Sequence, residues 1–358
     1  MTDYDYDLPA SSIAQHPIEP RDAARLLVSP EHAMVDHRHV RDLPLILRAG
    51  DLLVVNETRV IPARLRLRKD TGGAVEVFLL ERSVLGDWLG LVKPGRKILN
   101  GTQLSPGPGL IVEIGSTVPG GQRRIRLLDD RGEALDPGEE ELQLEQHGSL
   151  PLPPYITEHL DDPQRYQTTY ARIAGSAAAP TAGLHLTAGL LDELEKGGIG
   201  LAKVDLRVGL DTFRPVTADK PEDHDIHSER FDVPAATWEA VLSTHRQGGR
   251  VVAVGTTTVR SLETVAASGL LTGRTKLLIY GDYRFGVVDL LMTNFHLPRS
   301  SLLLLVEAFA GPRWRSLYAE ALTNGYRFLS FGDAMLVERQ MTSDEPAMDR
   351  RPAVGFRT

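Results

Sequence analysis

The sequence has no cysteine. That excludes disulfides, thiolate zinc sites and cysteine nucleophiles, and it fits a reducing compartment. Long apolar runs are missing as well. The longest, Leu302–Val306, is far too short to cross a bilayer, so no membrane partner is expected. The start, Met1-Thr2-Asp3-Tyr4-Asp5, is acidic and lacks the pattern of a signal peptide. A cytoplasmic protein is expected. No Walker motif and no G-x-G-x-x-G fingerprint occurs, which disfavours ordinary ATP and NAD folds. An overall basic charge is also absent. The net charge of −8 argues weakly against a nucleic-acid partner.

What is present is a chain of 358 residues, long for one domain, so two are expected. A hydrophobic content of 42% with 25% charged residues describes a globular protein with a real core. The charge is uneven. Arg59 to Arg126 carries 12 Lys and Arg against 5 Asp and Glu. Asp129 to Glu145 carries 8 acidic residues against Arg131 alone. One region could hold phosphates while the whole stays acidic. The plainer reading is a solvated strand face followed by a charged linker.

Two textures alternate along the chain. Leu52–Val55 and Val251–Val254 are apolar runs of buried-strand length. Each ends in a polar loop: Asn56-Glu57-Thr58-Arg59 after the first, Gly255-Thr256-Thr257-Thr258 after the second. Val204–Arg207 and Leu277–Tyr280 read as further strands. Thr187 and Ser300 stand where helix N-caps should, and Gly311-Pro312 stands where a helix should stop. Arg21 and Arg25 would share a face if their segment were helical. Residues 65–149 differ. Short strand candidates such as Ala74–Leu80 and Leu110–Ile114 alternate with Gly and Pro turns, and no helix is visible. The expected architecture is α/β: a larger discontinuous α/β domain at 1–64 and 150–339, an inserted small antiparallel β-barrel at 65–149, and a flexible tail at 340–358.

The densest candidate for chemistry is Gly175–Thr187, Gly-Ser-Ala-Ala-Ala-Pro-Thr-Ala-Gly-Leu-His-Leu-Thr. Small residues let backbone approach a ligand, and His185 can move a proton near neutral pH. A tight structural turn is the plain alternative. His296 beside Asn294 is a base or a hydrogen-bonded loop histidine. His224 and His227 with Asp225 and Glu229 could bind a metal, but a polar capping loop accounts for them better, and no metal is expected.

Taken together, Ile13–Gln15 with Arg21–Val28, Val54–Arg64, Leu150–Ile156, Gly175–Thr187, Phe213–Val216, Gly255–Thr257, Thr293–Pro298 and Ser330–Met335 resemble the S-adenosylmethionine:tRNA ribosyltransferase-isomerase family of queuosine biosynthesis. The resemblance covers nearly the whole chain, in order. It implies an α/β domain with an inserted barrel. It also implies S-adenosylmethionine as co-substrate, no prosthetic group, and tRNA bearing 7-aminomethyl-7-deazaguanine at the wobble position. The ribosyl part moves onto the base and rearranges to an epoxycyclopentanediol, while adenine and methionine leave. A monomer is expected. The sequence departs from the family pattern at Leu186, Arg207, Asp211 and Ile226. Arg207 replaces a histidine and so removes one candidate base.

The substrate dictates the roles. A sulfonium acidifies its neighbouring C5′ hydrogens, and a base must take one. His185 and His296 are the candidates. The attacking amine must be neutral, and Glu229 or Asp333 could accept its proton. Asn56, Thr58, Arg59, Ser176, Pro180, Thr181, His227, Thr256, Thr257, Arg260 and Asn294 are expected at the substrate. Arg64, Arg66, Arg123, Arg124 and Arg126 are expected at tRNA phosphates. A metal-dependent nucleoside hydrolase and a non-catalytic RNA-binding protein are the rival readings.

Overall fold

The computed structural model describes residues 1–31, 33–83, 85–118, 120–209, 216, 218–224 and 226–340. Asp211, Asp225 and most of the expected tail lie outside them. The chain divides into two compact units. Met1–Thr58, Pro153–Ile173 and Ala179 onward form the first; Arg59–Leu152 and Ala174–Ala178 form the second. The expected insert, 65–149, falls within the second.

Strands β1 (Arg25–Ser29), β2 (Asp36–His39) and β3 (Leu52–Asn56) come first, with helix α1 (Leu43–Ile46) before β3. β4 (Thr58–Val60) follows. Then come β5 (Arg64–Arg68), β6 (Ala74–Arg82), β7 (Trp88–Lys93), β8 (Thr102–Gly107), β9 (Leu110–Thr117), β10 (Arg123–Leu128), α2 (Pro137–His147) and β11 (Gly148–Ser149). The remainder comprises β12 (Ile173–Ser176), α3 (Ala188–Lys196), β13 (Gly200–Leu206), β14 (Glu229–Asp232), α4 (Ala235–Arg246), β15 (Val251–Val254), α5 (Thr256–Ser268) and β16 (Thr272–Thr275). β17 (Leu290–Asn294), α6 (Ser301–Ala310), α7 (Trp314–Thr323) and β18 (Ala334–Glu338) close it.

The first unit is built on a mixed sheet in the order β16-β14-β13-β3-β15-β17-β18-β1-β2. Its centre, β13-β3-β15-β17, is parallel. Every residue of β3, β15 and β17 is buried, as strands covered on both faces require. Leu53, Val55, Val252, Val254, Leu290 and Met292 form one core with Leu43 of α1 and Leu190, Leu191 and Leu194 of α3. The alternate residues face the other way, where α4 and α5 pack on β3, β13 and β15. Each fully buried aliphatic side chain contributes roughly 1.5–3 kcal/mol.

Register brings the ends of these strands to one edge. Asn56 ends β3 beside Val204, and Asn294 ends β17 opposite Ala334. The antiparallel neighbours β14 and β18 begin at that same edge, with Glu229 and just after Asp333.

Local signals decide the helix ends. The Thr187 hydroxyl accepts from Leu190 N–H at 3.1 Å and that of Ser300 from Leu303 N–H at 3.2 Å, as their positions predict. The sequence offers Thr256, Thr257 and Thr258 as N-cap candidates for α5, and the structure places the cap one residue earlier. The cap is Gly255 at φ 87°, a left-handed conformation that glycine adopts freely, and Thr256–Thr258 fill the first turn. Arg21 and Arg25 do not share a helix: a single 3-10 turn at Arg21–Ala23 leads into β1. Leu277–Tyr280 is not a strand; the strand lies just before it, at β16.

The second unit is a curled antiparallel sheet in the order β11-β5-β6-β7-β10-β9-β8. Leu65 and Leu67, Val75 and Val77, Val112 and Ile114, and Ile125 and Leu127 alternate into its core. It does contain a helix. In α2 the Asp136 side chain accepts from Glu139 N–H while Glu139 reaches back to Asp136 N–H, with Pro137 in the first turn. The acidic stretch is therefore no linker. Leu144 is buried, but Leu142 stays 65% exposed, so the helix shows almost no amphipathic pattern.

Candidate active site

The carboxyl edge of the parallel strands collects most of the expected residues of the first unit. The 3-10 turn Thr181–His185, entered through the buried Pro180, packs beside β17. Gly183 lies close against Tyr170: an added Cβ would sit 2.1 Å from its hydroxyl, so the buried ring would have to shift. Asn294 organises the turn. Its carbonyl accepts from Thr181 Oγ1 at 2.9 Å, and its amide donates to His185 Nε2 at 3.1 Å and to the Asp333 carbonyl at 3.2 Å.

That network fixes His185 as the neutral form. Burial, with Arg327, Arg21 and Arg165 nearby, pushes its pKa down to about 4. Its ring also bonds the Arg21 backbone. His185 faces a small cleft with Arg21, Arg165 and Ser330. His296 follows Asn294 by two residues. Burial alone lowers it to about 3. Its Nε2 lies 3.3 Å from Thr293 Oγ1, and it lines a cleft of about 320 Å³ with Tyr155, Thr181, Asn294 and Ser330. Both histidines are unprotonated at neutral pH, which a base requires; low basicity is the cost.

A second cleft, of about 550 Å³, shares Leu302 with the first. Glu229 and Arg260 form a buried ion pair on its wall, with His224 and His227 at its rim. Glu229 Oε1 also accepts from Gly209 N–H at 3.1 Å. Among the described residues no three metal-ligating side chains converge.

Several expected residues hold their neighbours in place. Asp333 accepts from the N–H groups of Arg25 (3.0 Å) and Arg327 (2.8 Å), so its carboxylate holds a loop. Asn56 clamps β3 to β13: its amide donates to the Leu206 carbonyl at 2.9 Å, and its oxygen accepts from Thr58 and Leu206 N–H. Thr58 is fully buried beside it. Thr256 and Thr257 are buried in the first turn of α5, where Thr257 Oγ1 receives the Asn56 amide at 3.4 Å. These residues shape the edge.

In the second unit, Ser176 Oγ donates to the Ala178 carbonyl at 2.7 Å and closes a turn. Arg59 pairs with Glu141 and Glu145 of α2. Arg123 is buried, and its guanidinium donates to Gly115 and Ile98 carbonyls and to Asn100. It is not placed to meet a phosphate. Arg124 pairs with Asp87 at 2.6 Å; Arg126 (to Glu113) and Arg64 (to Glu76) are held more loosely, at 3.3 and 3.9 Å. Arg66 is exposed.

Sequence reasoning missed Tyr155, whose hydroxyl lies 2.7 Å from Ser330 Oγ at the first cleft, and the apolar wall Leu277, Leu278 and Ile279 of the second. The Leu150–Ile156 segment already contained Tyr155. From sequence, the wall reads as a strand.

A parallel sheet with its polar loops gathered at the carboxyl edge is the arrangement of an α/β enzyme site. The profile described as "Queuosine biosynthesis protein" matches residues 1–337, and the chain belongs to that family. It is 51% identical to the S-adenosylmethionine:tRNA ribosyltransferase-isomerase of Synechococcus elongatus, over 93% of this chain and 94% of the relative. It is equally identical to the enzyme of that name from Symbiobacterium thermophilum, over 94% and 99%. A crystal structure of S-adenosylmethionine tRNA ribosyltransferase from Thermotoga maritima matches with a TM-score of 0.54 at 37% identity, covering 94% of this chain and 99% of that one.

Proposed function

We propose that this chain is a ribosyltransferase-isomerase that moves the ribosyl part of S-adenosylmethionine onto 7-aminomethyl-7-deazaguanine at the wobble position of tRNA. Adenine and methionine are released, and the product is epoxyqueuosine-tRNA. The observation that carries this reading is 51% identity to enzymes of that name across nearly the full length. The carboxyl-edge clefts supply the chemistry.

His296 suits the C5′ base better than His185. It opens on the larger of their two clefts, and its ring contacts, to Thr293 Oγ1 at 3.3 Å and to the Tyr318 hydroxyl at 3.5 Å, are longer than the 3.1 Å bond that ties His185 to Asn294. His185 then positions Asn294, and through it Thr181. Glu229, ion-paired with Arg260 on a cleft wall, and Asp333, bonded to two backbone N–H groups, serve as positioning residues rather than as acceptors for the amine's proton. The curled sheet is read as a barrel-like module that meets tRNA phosphates through Arg64, Arg66 and Arg126. S-adenosylmethionine is a co-substrate, no prosthetic group is required, and a cytoplasmic monomer is the working form.

The test is incubation with S-adenosylmethionine and precursor-modified tRNA, followed by nucleoside mass spectrometry. Epoxyqueuosine and free adenine should appear in equal amounts. Adenine without modified nucleoside would mean a hydrolase. Retained tRNA with neither product would mean a binding protein.

A further inference from the structure

The cleft around Arg260 carries a feature that the chemistry above does not use. The Arg260 guanidinium is 93% buried. Its Nε donates to the Leu277 carbonyl at 3.0 Å, and one terminal nitrogen pairs with Glu229. The other, Nη2, has no partner among the described residues. A buried, charged donor left unmet carries a desolvation cost that proteins seldom leave in place. Here it lines a cleft. Next to it are the carboxylate of Glu229, the open first turn of α6 at Ser301, and the apolar wall of Leu277, Leu278, Ile279, Leu302 and Leu305.

These parts specify a ligand class. Opposite charges fixed side by side suit a zwitterion, not a simple anion or cation. The guanidinium N–H and the positive start of α6 take a carboxylate. Glu229 takes an ammonium. The apolar wall takes a short hydrocarbon or thioether stem between the charged end and the rest of the molecule. Resting on the function proposed above, we infer that this cleft is the subsite for the amino-acid end of S-adenosylmethionine, with Arg260 Nη2 binding its α-carboxylate. Leu302 lines both clefts, so the nucleoside end then extends toward Thr181, Asn294 and His296.

The experiment compares S-adenosylmethionine with its decarboxylated analogue, which keeps the sulfonium, ribose and adenine. In the unmodified enzyme the analogue should lose on the order of 10- to 100-fold in kcat/KM, because Arg260 is again left unmet. Arg260→Gln should lose a similar factor with S-adenosylmethionine, and its preference between the two substrates should fall toward one. Thermal melting checks that the variant is folded. An unmodified enzyme that uses both substrates equally overturns the subsite, whether or not the variant folds. A folded Arg260→Gln that keeps full discrimination also overturns it. Both outcomes differ from failure of the parent reading, in which the unmodified enzyme makes no epoxyqueuosine from S-adenosylmethionine.

Discussion

The two edges of the central parallel strands are both polar and buried, but they are finished differently. At the amino edge, Asp51 and Asp289 stand just before β3 and β17. Asp51 accepts from Arg48 N–H, from Arg250 N–H and from the Arg250 side chain, the last at 2.5 Å. Asp289 accepts from Val251 N–H and lies 2.8 Å from His245 Nε2. These carboxylates are spent on the fold. At the carboxyl edge, Asn56 and Asp333 are spent in the same way, yet among them stand Arg260 with an unmet N–H and His296 facing a cleft. Burial and polarity do not separate structure from function at these edges; bonding capacity left over, or loosely held, at a cleft does.

The sharpest break of that comparison is a pair of substitutions. His296→Gln keeps a hydrogen-bonding side chain of similar size and removes the base. Turnover should fall by ~10²–10⁴-fold while the denaturation midpoint stays close to that of the parent. Asp51→Ala strands Arg250 in a buried site and should cost about 3–5 kcal/mol of stability. Its turnover per folded molecule should be unchanged. The comparison breaks if His296→Gln lowers the denaturation midpoint while turnover per folded molecule is unchanged, or if Asp51→Ala lowers kcat while stability holds.

Much of this was legible in the sequence, for physical reasons. β3 and β15 show as continuous apolar runs because both faces are covered. Thr187 and Ser300 show as caps because a helix start needs a side-chain acceptor. The polar loops at the strand ends name the edge. α2 was not legible from periodicity, because its apolar stripe is little more than Leu144; the capping box Asp136–Glu139 was the available signal. Arg123 was misplaced for a related reason. It falls in phase with Ile125 and Leu127, and alternation already put it on the inner face. Charge count hid that phase. The Arg260 site could not be read at all, since an unmet donor exists only once Leu277 and Glu229 are in place around it.

A smaller effect tests the same edge through pH. His185 and His296 have pKa values lowered to about 4 and about 3 by burial, against 6.5 when unfolded. Above pH 6.5 neither state binds the proton, and the histidines leave stability untouched. Between pH 6.5 and about 4 the unfolded chain takes up protons that the folded chain refuses, so stability falls as pH falls. Each histidine adds up to about 1.4 kcal/mol per pH unit to that slope. His296→Gln and His185→Gln should each flatten it, as read from urea midpoints at pH 7, 6, 5 and 4.5. An unchanged slope in both would mean that the rings are hydrated, and that this edge is more open than its hydrogen bonds imply.

The smallest expected effect extends the spent-versus-unspent rule to the second unit. Arg123 and Arg126 sit three residues apart on β10 with opposite roles. Arg123 is 5% exposed and bonded three ways; the Arg126 side chain is 54% exposed and held only by Glu113 at 3.3 Å. Exposed pairs of that kind contribute ~0–1 kcal/mol, so Arg126 is free to exchange Glu113 for a phosphate. Arg126→Ala should leave the melting temperature in place and reduce the slope of log K against log salt for tRNA by roughly one unit. Arg123→Ala should do the reverse: lower the melting temperature, because Ile98 and Gly115 carbonyls and Asn100 lose a donor, and leave the salt slope of the folded fraction alone. If Arg126→Ala leaves the slope unchanged and Arg123→Ala reduces it, then exposure and hydrogen bonding are poor guides to which arginines of this sheet meet RNA, and the rule drawn from the first unit does not carry over.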